Sequence, residues 1–297
     1  MPPRSRLSIA KSDIVKIFEE DPHRVFIRAD IDRILRSNRQ QWRLAQSTTT
    51  HQFIEYLVAN TKMERHKINL PYRPTHRYTW GQVPTLEIVS SLRPDAYFTH
   101  FTAIYLHGLT VQVPKTIFLN YEQRASSTGG GEGLSQGAIG RAFKRKCRVS
   151  SNVTTFRDHR ICLLNGQNTK QLGVEDIETS GAALRSTNIE RTLIDITVRP
   201  IYSGGVFEVA RTFAAAHDQF SVNRLISYLR RLNFTYPYHQ AIGFYLQQTG
   251  KFTESQLSLF RNLEMHVDFY LTHDMKETDY VKEWRLFVPK GFQQLTS

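Results

Sequence analysis

Apolar positions in the chain change their spacing near residue 81. Before it they recur every three to four residues in short stretches. Ile14, Val15, Ile17 and Phe18 form the stripe of a helix expected over residues 13–20, with Ser12 as its N-cap and Asp21-Pro22 as its stop. Residues 25–27 make a short strand-like run. Asp30 is the expected cap of a second helix carrying Ile31, Ile34 and Leu35, followed by a basic, amide-rich stretch to Arg43. Four hydroxyl residues, 47–50, open a third helix over 51–61 whose inward positions are Phe53, Ile54, Leu57 and Val58. Two strands then flank the proline-containing loop 71–74. The order helix, strand, helix, helix, hairpin predicts a winged helix-turn-helix over residues 1–81.

Beyond Gly81 the pattern mixes short apolar runs with long helical stretches, and the class expected for the whole is α+β. A larger mixed α/β part over residues 82–297 is strand-rich at about 88–170 and helical at about 184–266. Residues 82–86 read as a connector. A helix falls within 97–109, capped by Thr99 or Thr102, and a strand within 111–119 whose best part is 115–120. Leu134, Ile139 and Phe143 anchor a short helix. Residues 151–164 read as a strand pair ending at the turn dipeptide Asn165-Gly166.

The strongest pattern lies at 186–210, STNIERTLIDITVRPIYSGGVFEVA. It predicts a buried helix, a corner of the form Pro-x-x-Ser-Gly-Gly and a second helix to 216, the glycine pair allowing a tight reversal. Ser221 caps an amphipathic helix over 222–232. Further helices are expected at 238–249, closed by Gly250, and at 254–265, with an edge strand near Leu286–Val288.

Composition alters this picture in one respect. The net charge is +12, and it is concentrated in two islands. The first 81 residues carry 15 Lys and Arg against 8 Asp and Glu, and residues 141–170 carry 8 against 1. The remaining segments are nearly balanced. Such islands suit polyanions or acidic proteins. In the first island, Arg65, Lys67, Arg73 and Arg77 are the candidate backbone contacts of the wing. Thr49, Thr50, Gln52 and Tyr56 are the candidate base-reading face of the third helix. The competing reading is a basic winged helix that binds protein. In the second island, Arg141, Lys144, Arg145, Lys146 and Arg148 are either a contact surface, for the same DNA or an acidic partner, or a solvated turn. No apolar run approaches the ~18–20 residues of a membrane span. The opening MPPRSRLSIAKSD lacks the apolar segment of a secretory signal, and two cysteines in this length suit a reducing compartment. The expectation is a cytoplasmic protein.

Catalytic motifs are absent: no His-Glu-x-x-His, Cys-x-x-Cys, Gly-x-Ser-x-Gly or dinucleotide fingerprint occurs. The glycine-rich segment 126–133 lacks the Gly-Lys-Ser/Thr of a phosphate loop and reads as an insertion. His100 and His107, seven apart, fit packing better than metal binding. Glu190 and Asp195 point in divergent directions on one helix, so Glu190, Arg191 and Asp195 read as structural ties rather than an acid–base or metal pair. Asp158, between Arg157 and Arg160, lacks the companions of a nuclease. No enzyme activity, metal or cofactor is expected.

Several segments, YFTHFTAIYLHGL, LSQGAIGRAFKRKCRVS, ICLLNGQNTKQLGV and above all STNIERTLIDITVRPIYSGGVFEVA, resemble the AbiEi antitoxins of type IV toxin–antitoxin systems in bacterial abortive infection. The resemblance spans nearly the whole chain. It implies an N-terminal domain that binds repeated sequences in its own operon's promoter and represses it; self-association on that DNA stays open. It further implies a C-terminal domain that counteracts a nucleotidyltransferase toxin encoded beside it. A stand-alone winged-helix transcription factor with a sensing C-terminal domain is the alternative.

Overall fold

The computed structural model describes residues 5–124, 134–179 and 181–292; the 126–133 segment lies outside them. The chain starts with α1 (Arg6–Ile9), α2 (Lys11–Glu20), β1 (Val25–Phe26), α3 (Arg28–Asn38), α4 (Thr50–Asn60), β2 (Met63–Asn69) and β3 (Pro74–Trp80). The three strands form an antiparallel sheet in the order β1-β3-β2. Helix ends differ in detail from expectation. Ser12 lies inside α2, and it is Ser5 that caps α1, its hydroxyl accepting from the Ser8 amide. Asp30 sits in the first turn of α3, where its carboxylate accepts from the Ile27 amide at 3.0 Å. Phe18 stacks on Trp80 with centroids 4.9 Å apart, tying α2 to the sheet over a core that includes Ile14, Ile31, Leu35, Phe53 and Leu57.

The chain continues through α5 (Thr85–Ser90), β4 (Tyr97–Phe98), α6 (His100–Leu106), β5 (Thr116–Glu122), α7 (Gln136–Phe143), β6 (Val153–Phe156), β7 (His159–Gly166), β8 (Val174–Glu178) and β9 (Ala183–Thr187). Their strands make a mixed six-stranded sheet in the order β6-β7-β5-β4-β9-β8. Side chains alternate across it. Ile117, Leu119, Ile161 and Leu163 face one core, while Phe118, Cys162 and Leu164 face the other. The parallel register pairs Ile117 with Ile161 and Leu119 with Leu163. Asn165-Gly166 is therefore the end of β7, paired with Tyr121 and Glu122, and not a turn. Of the residues expected as a connector at 82–86, Thr85 and Leu86 already belong to α5, whose Ile88 and Val89 pack under the sheet.

Packing is continuous across Gly81. Ile68 of the hairpin is fully buried among Val83, Ile88 and Phe156. The Thr154 hydroxyl donates to the Asn69 carbonyl at 2.7 Å.

The remaining elements are α8 (Ile189–Val198), a 3-10 turn (Pro200–Ser203), α9 (Val206–Ala215), α10 (Val222–Leu232), α11 (Tyr238–Gln248), α12 (Glu254–Arg261), β10 (Phe269–Tyr270), β11 (Thr278–Val281) and β12 (Leu286–Pro289). Gly204 and Gly205 take φ of +83° and +94° at the corner between the 3-10 turn and α9, a conformation that penalises a Cβ. Ser221 caps α10 through the Arg224 amide. β12 is the centre of a three-stranded sheet, β10-β12-β11, and not an edge. Leu286 and Val288 are buried there against the helical core. Gly243 of α11 lies against the Trp284 ring, so a methyl at 243 would overlap it. Gly243→Ala is therefore expected to destabilise by about 1–3 kcal/mol through overpacking, read as a lower midpoint in urea unfolding with an unchanged slope; an unchanged midpoint would show that the ring has room to move.

Candidate nucleic-acid interface and a buried polar network

At the start of α4, Thr49 and Gln52 form a reciprocal capping box. The Thr49 hydroxyl accepts from the Gln52 amide at 3.2 Å, and the Gln52 side-chain oxygen accepts from the Thr49 amide at 2.9 Å. Both residues are exposed, so each keeps part of its surface toward solvent. The Thr50 hydroxyl donates to the Asp32 carboxylate on α3. That bond, together with Arg36 at 2.9 Å, holds the Asp32 carboxyl below its ordinary pKa. Thr50 thus locks α4 to α3 as well as lying near its outer face. Tyr56 is half-buried, and burial pushes its phenol pKa up.

The hairpin divides the four expected wing cations. Arg65 pairs with Glu55 of α4 at 2.5 Å and lies over the Tyr78 ring, 5.8 Å from its centroid. Lys67 and Arg73 are exposed, and neither has an ion-pair partner among the described residues. Arg77, expected to reach DNA, points the other way and is only 7% exposed. Its Nε donates to the Ser91 hydroxyl at 2.8 Å, Nη2 to the Ser91 carbonyl at 2.7 Å and Nη1 to Thr75 and His76 at 2.9 Å. It fastens the hairpin to the segment after α5 and is a structural residue. Along a strand successive side chains alternate, so exposed His76 and buried Arg77 face opposite ways.

Elsewhere in the N-terminal island many cations are already engaged. Arg33 pairs with Asp30, Lys62 with Glu19, and Arg39 donates to the carbonyls of Ala45 and Thr48. In the second island Arg141, Lys144, Arg145, Lys146 and Arg148 are all exposed, at the end of α7 and along the loop to β6.

Helix α8 carries the charged network. Arg191 Nε donates to Asp195 at 2.8 Å, and its Nη1 donates to the Leu172 carbonyl at 2.8 Å and to the Thr169 hydroxyl at 3.1 Å. The second Asp195 oxygen accepts from the Thr99 hydroxyl at 2.9 Å. Glu190, one residue away but facing α10, accepts from the Ser221 amide at 2.9 Å and pairs with Arg224 at 3.1 Å. Glu190 and Asp195 therefore serve separate partners. Sequence spacing does not reveal the extension of this network through Thr169 and Glu122 to Tyr97 and Asn120.

Beside the network a cleft of about 520 Å³ opens between α8, the 3-10 turn, the ends of β5 and β7 and the loop before β6. Thr99, Asn120, Arg191 and Asp195 lie in its wall, as does His100. The sequence offers no local signal for it, because its residues come from positions 99 to 234. His100 stacks edge-on to Tyr202 at 5.2 Å, and its Nδ1 is buried with no hydrogen-bond partner among the described residues. His107, by contrast, lies within 2.6 Å of the Thr187 carbonyl. Burial pulls the His100 pKa down to about 4, opposed only in part by the nearby Asp195. Among the described residues no group of three His, Cys, Asp or Glu is placed to hold a metal, and no helix is long and apolar enough to cross a membrane.

Among the described residues these elements make an α+β architecture with three separate sheets. No family model and no curated protein sequence matches the chain. Among solved structures, the RV2827C protein from Mycobacterium tuberculosis is similar over 97% of this chain and 94% of its own, with a TM-score of 0.62 at 14% identity. At that identity the likeness concerns the fold alone.

His100 gives the fold a defined pH dependence. Above about 6.5 the imidazole is neutral in both folded and unfolded chains. As the pH falls from 6.5 toward 4 the unfolded chain takes up a proton that the folded chain refuses, so stability drops by roughly 3 kcal/mol over that window. In His100→Asn, denaturant unfolding at pH 7 and pH 4.5 is expected to show a smaller loss than in the parent. An equal loss would mean that His100 is protonated as readily in the fold as outside it.

Proposed function

We propose that the chain is a DNA-binding autorepressor and antitoxin of a type IV toxin–antitoxin system, acting against a nucleotidyltransferase toxin in the bacterial cytoplasm. The N-terminal unit is read as a winged helix-turn-helix with α4 as its recognition helix. One observation carries this reading: α4 and the free side of the β2–β3 hairpin form one exposed surface, joined by the Glu55–Arg65 pair. Thr49, Gln52 and part of Tyr56 would meet base edges, and Lys67 and Arg73 the phosphates. The capping box at Thr49 and Gln52 fixes the start of α4, so reading groups there are held by the helix itself. Support for the antitoxin part comes from the family resemblance of the segment that forms α8 and the following corner. It also comes from the second exposed basic surface, which suits an acidic partner or the same DNA. The buried role of Glu190, Arg191 and Asp195 argues against reading that helix as catalytic.

The test has two arms. On a duplex carrying the promoter of its own operon, Lys67→Ala/Arg73→Ala is expected to lower affinity and to flatten the slope of log K against log salt by about two units. Binding with the parent's slope would remove the hairpin from the interface. In cells, co-expression with the neighbouring nucleotidyltransferase is expected to restore growth; toxicity that persists with soluble protein present would overturn the antitoxin reading and favour a stand-alone regulator.

A further inference from the structure

The cleft beside α8 has features that the fold's own stability does not require. Among the described residues its charged lining consists of three arginines, Arg148, Arg191 and Arg199, against a single carboxylate, Asp195. Asp195 is consumed by Arg191 and Thr99. Arg191 is consumed likewise, but the other two guanidiniums are not. Arg148 is exposed, and it has no ion-pair partner among the described residues. Arg199 donates from Nη1 to the Cys147 sulfur at 2.9 Å, a weak acceptor, and makes no ion pair among the described residues. Two cations with spare donors therefore stand at one cleft, and guanidinium forks match phosphate oxygens.

In the same wall, His100 is 8% exposed, and its buried Nδ1 lacks a hydrogen-bond partner among the described residues. Its backbone adopts φ +52° at the first residue of α6, a conformation that costs a side-chain-bearing residue energy and is seen where surroundings demand a fixed side chain. The remaining wall is apolar and aromatic, with Tyr202, Phe234, Leu232 and Val198, and is flanked by the amides Asn165 and Gln167. A volume of about 520 Å³ falls within the range of small-molecule sites, roughly 300–1,000 Å³. It far exceeds what a bare phosphate fills.

We propose that this cleft binds a nucleoside phosphate, with Arg148 and Arg199 taking the phosphate and the His100, Tyr202 and Phe234 side taking the nucleoside. The aromatic walls offer ring faces for stacking, and His100 stands in the same wall. The site lies in the larger C-terminal part and does not depend on whether the N-terminal unit binds DNA.

Titration calorimetry on the full chain with ATP, GTP, CTP and UTP, and with inorganic phosphate, tests this. At least one triphosphate is expected to bind saturably, and inorganic phosphate far more weakly. Arg148→Ala and Arg199→Gln should each weaken that binding about tenfold, as expected for a lost charge-assisted contact. Arg141→Ala, in the same basic island but outside the cleft, should leave it unchanged. Circular dichroism of each variant checks the fold, and exposed Arg148 decides the matter should Arg199→Gln not fold. The proposal is overturned if no triphosphate binds, if phosphate binds as tightly as the nucleotides, or if Arg141→Ala weakens binding as much as Arg148→Ala.

Discussion

The ion pair between Arg191 and Asp195 is the constraint on which the larger part of the molecule depends. Both charges are buried, and a buried charge is tolerated only when its hydrogen-bonding capacity is met. Here the needs of two side chains dictate the placement of two other segments. Asp195 requires Thr99 at the end of β4, and Arg191 requires the Thr169 and Leu172 positions ahead of β8. Glu190 binds α8 in the same way to the start of α10. Removing one partner would leave the other charge unmatched, at a typical cost of about 3–5 kcal/mol. Helix α8 is thereby fixed between sheet and helical core.

The same logic thins the basic surface of the N-terminal unit. Its excess of cations is large by count, yet several are bound to neighbouring carboxylates or carbonyls. Arg33, Arg39, Lys62, Arg65 and Arg77 all have protein partners. Among the described residues the exposed cations outside any ion pair include Lys67 and Arg73 on the hairpin, and also Lys11, Arg28 and Arg43 on α2, on α3 and before α4. Glu55, which would repel a phosphate, is neutralised by Arg65 in the position where the two elements meet. In the second island the five cations from Arg141 to Arg148 are exposed, while Arg157 donates to the Val83 carbonyl.

Local pattern was enough to read some elements and not others. Helix α10 was legible because Leu225, Ile226 and Leu229 recur at helical spacing behind a serine cap. The α8 corner was legible because two glycines follow a proline and a serine. By contrast β8, a half-exposed edge strand reading VEDIE, and its partner β9 carry too few apolar residues to stand out. Asn165-Gly166 has the composition of a turn, but pairing with β5 overrides it. Arg77 looks like a wing cation until the register of β3 turns it inward. The cleft was illegible for a simpler reason: His100, Arg148, Arg199 and Phe234 share no local motif, and only the sheet and α8 bring them together.

The claim that α4 and the outer side of the hairpin form the nucleic-acid surface is tested most directly by hydrogen exchange with and without a duplex carrying the promoter. Amides in residues 49–56 and 65–73 are expected to gain protection on binding, while those of α8 are unchanged. Protection confined to residues beyond 81, with none in α4 or the hairpin, would contradict it.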